Sequence, residues 1–221
     1  MNIPEKSKLS DLATRTREVY EQHGAAFDQQ RPKNLYEKKW LDRFIARLPE
    51  NASILDVGCG AGEPFIPYFL SRGLSVEGLE FAESMLEIVR ERFPDLVFYP
   101  ADMSDFTLGR KFDGIIAWNS FFHLTKVAQR KALVCFSQHL NPGGALMLTV
   151  GGEDGEVVGH VNGAEVYHSS LAPDDYRSSL ATLGIEVVEF VIDDEECGQQ
   201  TVLIGQKSGC TNLRSCNRRK S

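Results

Sequence analysis

The stretch Ile54-Leu55-Asp56-Val57-Gly58-Cys59-Gly60-Ala61-Gly62-Glu63-Pro64 decides the fold of this chain. An apolar run that ends at an acid is followed by glycines at 58, 60 and 62 and then by a proline, which suits the first turn of a helix. Glycines let the backbone turn sharply and let a ligand approach without meeting side chains. The stretch therefore predicts a strand, a glycine bend that can hold a ligand, and a helix.

The spacing of these glycines also indicates the kind of ligand. A nicotinamide dinucleotide site favours Gly-x-Gly-x-x-Gly, whose third glycine would fall at position 63, where this chain has Glu63. Because a carboxylate at that position would repel a pyrophosphate, the sequence favours a nucleotide that carries no phosphate.

Downstream of this stretch, short apolar runs alternate with helical patterns, as in proteins built from repeated strand and helix units. We predict an α/β fold with a Rossmann-like, doubly wound sheet of seven strands, mostly parallel with an antiparallel C-terminal strand, and helices on both faces. Strands are predicted at 53–57, 75–79, 96–99, 114–118, 145–150, 186–192 and 201–206. Helices are predicted at 5–22 and 36–48 ahead of the sheet, and at 64–72, 82–92, 125–140 and 173–183 between its strands. The run Asn141-Pro142-Gly143-Gly144 predicts a stop and a turn after the fifth helix.

The length and composition suit one globular domain, since 42% of the 221 residues are hydrophobic and 25% are charged. Asn162-Gly163, between two short apolar runs, is the preferred two-residue turn of a protruding hairpin. We predict a single domain at 1–207, made of an N-terminal helical cap (1–49), a cofactor-binding core (50–150), a hairpin insert or lid (151–170), and a C-terminal helix with two strands (171–207).

The net charge of −7 argues against a general affinity for nucleic acids. Residues 208–221 carry four basic side chains and no acidic one, so the rest of the chain carries −11. This basic tail is expected to be disordered, the alternative being a weak anchor for an anionic partner. Five cysteines, an odd number without zinc spacing, favour a reducing compartment and no metal. With no signal peptide or membrane span in the sequence, we expect a cytoplasmic protein without membrane partners.

A second motif, at 76–86, surrounds the end of the next predicted strand. Its Glu80 lies 24 residues after Asp56, where a carboxylate can accept hydrogen bonds from both hydroxyls of a ribose. With Ala101-Asp102-Met103 after the third strand and the run 112–124 around the fourth, the motifs resemble those of class I S-adenosylmethionine-dependent methyltransferases. The likeness is to the small-molecule branch, the methyltransferase 25 or 11 type, and it covers residues 50–150 with weaker agreement to 206.

The resemblance implies that S-adenosylmethionine is the cofactor, and it implies roles for individual residues. Glu80 would hold the ribose, while Asp102 and the backbone of Met103 would hold the adenine. A core position for Met85 and a surface position for Arg31 are the alternatives. The implied cofactor-binding residues are Tyr20, Arg31, Asp56, Gly58, Cys59, Gly60, Glu80, Phe81, Met85, Asp102, Met103, Trp118 and Asn119.

The implied activity is in-line transfer of a methyl group to O, N or S of a small-molecule acceptor. Such a transfer depends mainly on alignment and needs a base only when the acceptor carries a proton. His123 is the candidate catalytic base, and Phe122, Tyr167 and His168 are candidates for binding the acceptor, with a structural role as the alternative for each.

Other functions are less well supported by the motifs. The chain has neither an Asn/Asp-Pro-Pro-aromatic run nor a Pro-Cys pair at this point, which argues against DNA or RNA as the substrate. A cofactor-binding regulatory protein without turnover, and a protein or RNA methyltransferase, stay as alternatives. The sequence leaves the acceptor and the oligomeric state open.

Overall fold

The computed structural model describes residues 6–209, except for the side chains of Lys6, Ser7, Arg17, Ala25 and Phe27. The basic tail predicted from the sequence therefore lies outside the described residues from 210 onward. Within the described part, the helices are α1 (Lys6–Gln30), α2 (Lys38–Ile45), α3 (Phe65–Ser71), α4 (Glu83–Arg92), α5 (Lys126–His139) and α6 (Pro173–Thr182). The strands are β1 (Ser53–Val57), β2 (Ser75–Glu80), β3 (Val97–Pro100), β4 (Phe112–Ala117), β5 (Leu140–Val150), β6 (Gly155–Val161), β7 (Ala164–Ser170), β8 (Ile185–Asp194) and β9 (Gln200–Lys207).

Seven of these strands form one sheet in the order β3-β2-β1-β4-β5-β9-β8. The pairs from β3 to β5 are parallel, while β9 runs antiparallel to both β5 and β8. The predicted fold class is confirmed. Because the strand order reverses between β1 and β4, a crevice opens outside the carboxyl ends of these two strands, which is where open α/β sheets bind ligands.

Both faces of the sheet are buried by helices. Alternate residues of β1 point to opposite faces, so that Ile54 joins the core under α2, α3 and α4 while Leu55 joins the core under α5 and α6. The first core is rich in aromatic rings, such as Phe44 and Phe69, and the second includes Phe136. The two cores hold the strand ends, and therefore the crevice, in fixed positions.

Helix α1 continues eight residues beyond its predicted end at 22. It packs along α4, and Gly24 permits the close approach, since a Cβ there would lie 3.0 Å from Ser84 Oγ. The carboxylate of Glu21 accepts hydrogen bonds from the backbone N–H groups of Glu83 (2.9 Å) and Ser84 (3.0 Å), which caps α4. These contacts with α4 stabilise the additional turns of α1, and no pattern in the local sequence predicts them.

Two smaller differences concern proline-containing runs. Helix α3 begins at Phe65, one residue after the proline that was expected inside its first turn. The predicted stop and turn at 141–144 lies inside β5, because Phe112 pairs with Leu140 and the pairing resumes at Gly114 with Ala145. Residues 141–144 therefore form a bulge, with Gly143 at a φ of 80°.

The predicted hairpin is present as β6 and β7, which pair antiparallel around Asn162 and Gly163. Both turn residues have positive φ, 48° and 82°, as a two-residue turn of this kind requires. Leu9 and Leu12 of α1 pack against Tyr167 of the hairpin. Helix α1 and the hairpin thus cover the carboxyl edge of the sheet together. None of the helices in the described part of the chain has the length and apolar character that a membrane crossing needs.

Candidate functional site

A cavity of about 290 Å³ lies at the carboxyl ends of β1, β2 and β4, beneath α1. Its walls combine loops that follow three strands with one face of the helix. The lining residues are Ala13, Thr14, Thr16, Tyr20, Arg31, Gly58, Gly60, Glu80, Phe81, Met85, Asp102, Met103, Trp118, Asn119, Ser120, His123 and Leu124.

The glycine bend is tied to the end of β2 by Glu80. One oxygen of its carboxylate, Oε2, accepts from the N–H of Gly60 (3.0 Å), and Oε1 accepts from the N–H groups of Phe81 (2.8 Å) and Ala82 (2.9 Å). Burial raises the pKa of Glu80, and these three backbone donors partly offset the rise. A carboxylate therefore takes the Gly60 N–H that a dinucleotide site would offer to a pyrophosphate.

The bend needs its glycines for different reasons. A Cβ on Gly58 would lie 2.4 Å from the Cβ of Ser120, so this glycine lets the bend pack against the segment after β4. A Cβ on Gly60 would meet nothing within 4 Å, which leaves that residue open toward the cavity. Both residues have positive φ, 69° and 55°, which favours glycine in each case.

Asp56 lies in a narrow recess beside the main cavity, with Arg31, Cys59 and Trp118 among its other walls. Burial raises the pKa of Asp56 to about 7; Arg31 nearby lowers it and Glu80 raises it further. The Arg31 guanidinium lies 3.7 Å from a Glu37 oxygen. The recess thus gathers a cation and acids around the floor of the bend.

Two buried polar atoms at the end of β4 lack hydrogen-bond partners among the described residues. They are the donor Nε1 of Trp118 and the acceptor Oδ1 of Asn119, two residues that contribute to the lining of the cavity. Asn119 has a φ of 51°, and its backbone N–H donates to the Thr149 hydroxyl at 2.7 Å. Both atoms are buried, and neither is open to the cavity.

The opposite end of the cavity has the residues expected to hold the adenine ring. Phe81, Met85 and Met103 supply apolar walls, and Asp102 lies at the rim. The Asp102 Oδ1 accepts from the N–H and from the hydroxyl of Ser104, each at 2.7 Å, which fixes the orientation of the carboxylate.

Tyr20 and His123 meet inside the cavity, where the Tyr20 hydroxyl lies 2.8 Å from His123 Nε2. The other ring nitrogen, Nδ1, lies 3.1 Å from the backbone carbonyl of Tyr167. Because a carbonyl can only accept, Nδ1 carries the proton and Nε2 accepts from the Tyr20 hydroxyl. Burial lowers the pKa of His123 to about 3, with a further contribution from His168, so the ring is neutral in this geometry.

The structure brings all the expected cofactor-binding residues to this cavity or its recess, including Asp56 and Cys59, which line only the recess. Three expected acceptor-binding residues are not among those that line the cavity. The ring of Tyr167 packs on α1 and its hydroxyl donates to Glu156. The rings of Phe122 and His168 contact His123 at steep angles, 58° and 62°, with ring centroids 4.9 Å and 4.8 Å from it.

The sequence predicted a helical cap over the site and placed Tyr20 on it, but it did not single out the other residues of α1 that line the cavity. The lining residues not predicted are Ala13, Thr14, Thr16 and Leu124. Positions 13, 16 and 20 follow helical spacing, and this signal could have placed them on the same face as Tyr20.

Comparison with known proteins identifies the central part of the chain. Residues 54–144 match the family described as "Methyltransferase domain". The chain is 37% identical over 109 residues to a dTDP-3-amino-3,4,6-trideoxy-alpha-D-glucopyranose N,N-dimethyltransferase from Streptomyces venezuelae, which covers 48% of this chain and 46% of that protein. It is 34% identical over 125 residues to a dTDP-4-amino-2,3,4,6-tetradeoxy-D-glucose N,N-dimethyltransferase from Saccharopolyspora spinosa, covering 55% and 50%. The chain thus matches about half the length of these relatives.

Solved structures agree over a larger part of the chain. An amino pentose methyltransferase from Micromonospora echinaspora, solved with S-adenosylmethionine bound, has a TM-score of 0.67 over 86% of this chain and 97% of that one, at 24% identity. A sugar N-methyltransferase from Streptoalloteichus has a TM-score of 0.66 over 83% and 92%, at 21% identity. At these identities the likeness establishes the fold.

Proposed function

We propose that this chain is a class I S-adenosylmethionine-dependent methyltransferase, which binds this cofactor in the cavity and methylates an amino group of a small molecule. One observation carries the proposal. The carboxylate of Glu80 accepts the hydrogen bond from the N–H of Gly60 on the floor of the glycine bend, so the bend presents negative charge to the ligand. That charge suits ribose hydroxyls and a cationic sulfonium and opposes a pyrophosphate.

The polar groups of the cavity fit the parts of this cofactor. We assign the ribose to Glu80 and the adenine to the pocket between Phe81, Met85, Met103 and Asp102. The remaining part is a zwitterionic amino acid, which the end of β4 and the recess can receive. Arg31 is a suitable cation for its carboxylate, and we assign its ammonium to the segment of Trp118 and Asn119, which lines the cavity there. When bound, the cofactor supplies a methyl group on a positively charged sulfur.

At the acceptor end, we assign the orientation of the acceptor's N–H group to the pair of Tyr20 and His123. The acceptor nitrogen would approach the Tyr20 hydroxyl, whose own proton points to Nε2 of His123, so that the hydroxyl oxygen can accept from the acceptor N–H. The carbonyl of Tyr167 holds the neutral ring in the required tautomer, and a ring with a pKa of about 3 orients the hydroxyl but is too weak a base to take the proton itself. Because the pKa of His123 is about 3, the methyl-transfer rate should show no titration of this histidine near neutral pH.

An amine is the acceptor group best supported by the relatives, since the matched proteins from Streptomyces venezuelae and Saccharopolyspora spinosa are named as N,N-dimethyltransferases of nucleotide-linked amino sugars. In this chain the acceptor would lie between the α1 wall, with Thr14 and Thr16, and the segment with Ser120 and Leu124. Hydroxyl groups on both sides suit a polar molecule such as a sugar.

The test combines binding with turnover. Calorimetry should show that S-adenosylmethionine and its demethylated product bind and that a nicotinamide dinucleotide does not. Purified protein should then add methyl groups to amino sugars but not to the matched sugars with a hydroxyl at the same carbon, as measured by mass spectrometry. Binding of the dinucleotide in place of the cofactor, or methylation of the hydroxyl sugars alone, would contradict the proposal.

We also propose that residues 1–207 act as one domain and that the protein works in the cytoplasm on small molecules rather than nucleic acids. The first point is supported by α1, which lines the cavity, and by the hairpin, which packs on α1. The second is supported by the net charge of −7 and by the free thiols of Cys59, Cys135 and Cys197 among the described cysteines.

A further inference from the structure

A buried polar network lies directly behind the acceptor end of the cavity, outside the residues assigned above. Its centre is Gln129 of α5, which is 0% exposed, together with Tyr176 of α6, also 0% exposed. The Tyr176 hydroxyl donates to Gln129 Oε1 at 2.7 Å and accepts from the N–H of Leu171 at 3.2 Å. Burying a carboxamide and a phenol is unfavourable unless their hydrogen bonds are made, and here they are made.

The orientation of the Gln129 carboxamide is fixed by its partners. Its Nε2 donates to the carbonyls of Ser169 (2.8 Å) and Leu124 (3.2 Å), which can only accept. The Ser169 hydroxyl donates to the same Leu124 carbonyl at 2.7 Å. One side chain on a rigid helix therefore ties together two separate segments of the chain.

Those two segments hold the two sides of the His123 hydrogen bond. Leu124 directly follows His123, and Ser169 lies two residues after Tyr167, whose carbonyl accepts from His123 Nδ1. A shift of either segment would lengthen that bond and release the tautomer that lets Nε2 accept from Tyr20.

We propose that Gln129 and Tyr176 are positioning residues that fix the tautomer and orientation of His123. They touch neither the cavity nor Tyr20 and act through the backbone at Leu124 and Ser169. Their effect on the imidazole is independent of the reaction, whereas their effect on methyl transfer rests on the proposed function.

The experiment uses the whole chain in three variants. Gln129→Met removes the donors at similar length, and Tyr176→Phe removes only the hydroxyl. Ser137→Ala is the matched control, because Ser137 of the same helix donates to the carbonyl of Leu183 at 3.1 Å, away from the hairpin. Affinity for S-adenosylhomocysteine, measured by calorimetry, shows whether each variant keeps the folded cofactor half, and it should stay within about twofold of wild type.

The decisive measurement is the nitrogen NMR spectrum of the histidine rings, with His123 assigned by its loss in His123→Asn. The chain has five histidines, and buried His139 serves as an internal reference. Its Nδ1 lies 2.7 Å from the carbonyl of Cys135 and its Nε2 accepts from the N–H of Leu108 at 3.0 Å, so it has the same tautomer for unrelated reasons. In wild type both rings should show a protonated Nδ1 and an unprotonated Nε2.

In Gln129→Met and Tyr176→Phe, the His123 signals should move toward a mixture of tautomers, while His139 and the Ser137→Ala spectrum stay unchanged. Turnover in the same two variants should fall about tenfold in kcat with little change in KM for the cofactor. An unchanged His123 spectrum in both folded variants overturns the inference, as does a changed spectrum with full turnover. If His123 responds but wild type methylates no amine, the positioning is supported and the proposed function fails.

Discussion

Replacing Glu80 by glutamine separates the two tasks that the structure gives this side chain. The carboxylate accepts three backbone N–H groups, from Gly60, Phe81 and Ala82, and is also assigned to the ribose. A glutamine can place its carbonyl oxygen toward Phe81 and Ala82, and its NH₂ group then faces the N–H of Gly60. The substitution therefore loses one hydrogen bond to a charged acceptor and sets two donors against each other.

The expected magnitude follows from that geometry. A hydrogen bond to a charged group contributes about 1.5–3 kcal/mol. We expect Glu80→Gln to lower the free energy of unfolding by about 2 kcal/mol, which for a domain of this size lowers Tm by about 4–8 °C. The ribose also exchanges a charged acceptor for a neutral one, which should weaken cofactor binding by about tenfold.

Differential scanning calorimetry and titration with S-adenosylhomocysteine measure the two effects. Glu77→Gln is the matched control, because Glu77 lies on the same strand but accepts from the hydroxyl of Tyr99 at 2.7 Å and pairs with Arg110, away from the cavity. Wild-type affinity in Glu80→Gln, or an equal loss in Glu77→Gln, would refute the assignment of the ribose to Glu80.

Three further predictions test other parts of the site. With the pKa of Asp56 at about 7, affinity for the cationic S-adenosylmethionine should rise as pH increases through that value, because the ionised carboxylate attracts the sulfonium. In Asp56→Asn, calorimetry should show an affinity that does not change with pH. A rise that persists in this variant would exclude Asp56 as its source. Gly58→Ala should lower the free energy of unfolding in urea by about 2–4 kcal/mol, since its Cβ would meet Ser120 at 2.4 Å in a left-handed backbone; a neutral result would contradict the packing described. Asp28→Asn should lower the free energy of unfolding by about 1.5–3 kcal/mol and speed amide exchange in α1, because Arg92 binds the Asp28 carboxylate through two nitrogens, at 3.1 Å and 2.7 Å. Unchanged amide exchange would show that other contacts hold the helix.

The sheet could be predicted well from the sequence because its strands are short apolar runs with clear boundaries. Apart from β5, each strand of the large sheet begins and ends within two residues of its predicted position. Strand β5 begins five residues earlier than predicted because Leu140 pairs with Phe112, a tertiary contact that Asn141-Pro142-Gly143-Gly144 does not reveal. The extension of α1 was missed for a similar reason, since it depends on packing against α4.

The position of the cofactor-site candidates at the edge of the sheet was predictable because these residues directly follow strands. Once the strands are parallel neighbours, Asp56, Glu80 and Asp102 must come to the same edge of the sheet. The acceptor half was not predictable in this way. Tyr167 and His168 were assigned to it from their place in the hairpin, but in the structure Tyr167 packs against Leu9 and Leu12 of α1. Which face of a hairpin meets a helix is decided by tertiary packing and leaves no local pattern.

The cavity is lined by two kinds of element, the strand ends of the sheet and the helix α1. The glycine bend and the strand ends are built into the sheet, whereas Ala13, Thr14 and Thr16 lie on one face of α1, which takes part in no strand pairing. Selection, or an engineer, could therefore change the acceptor side of the cavity by substituting these three residues, while the contacts that α1 makes with α4 and the residues that follow the strands stay unchanged.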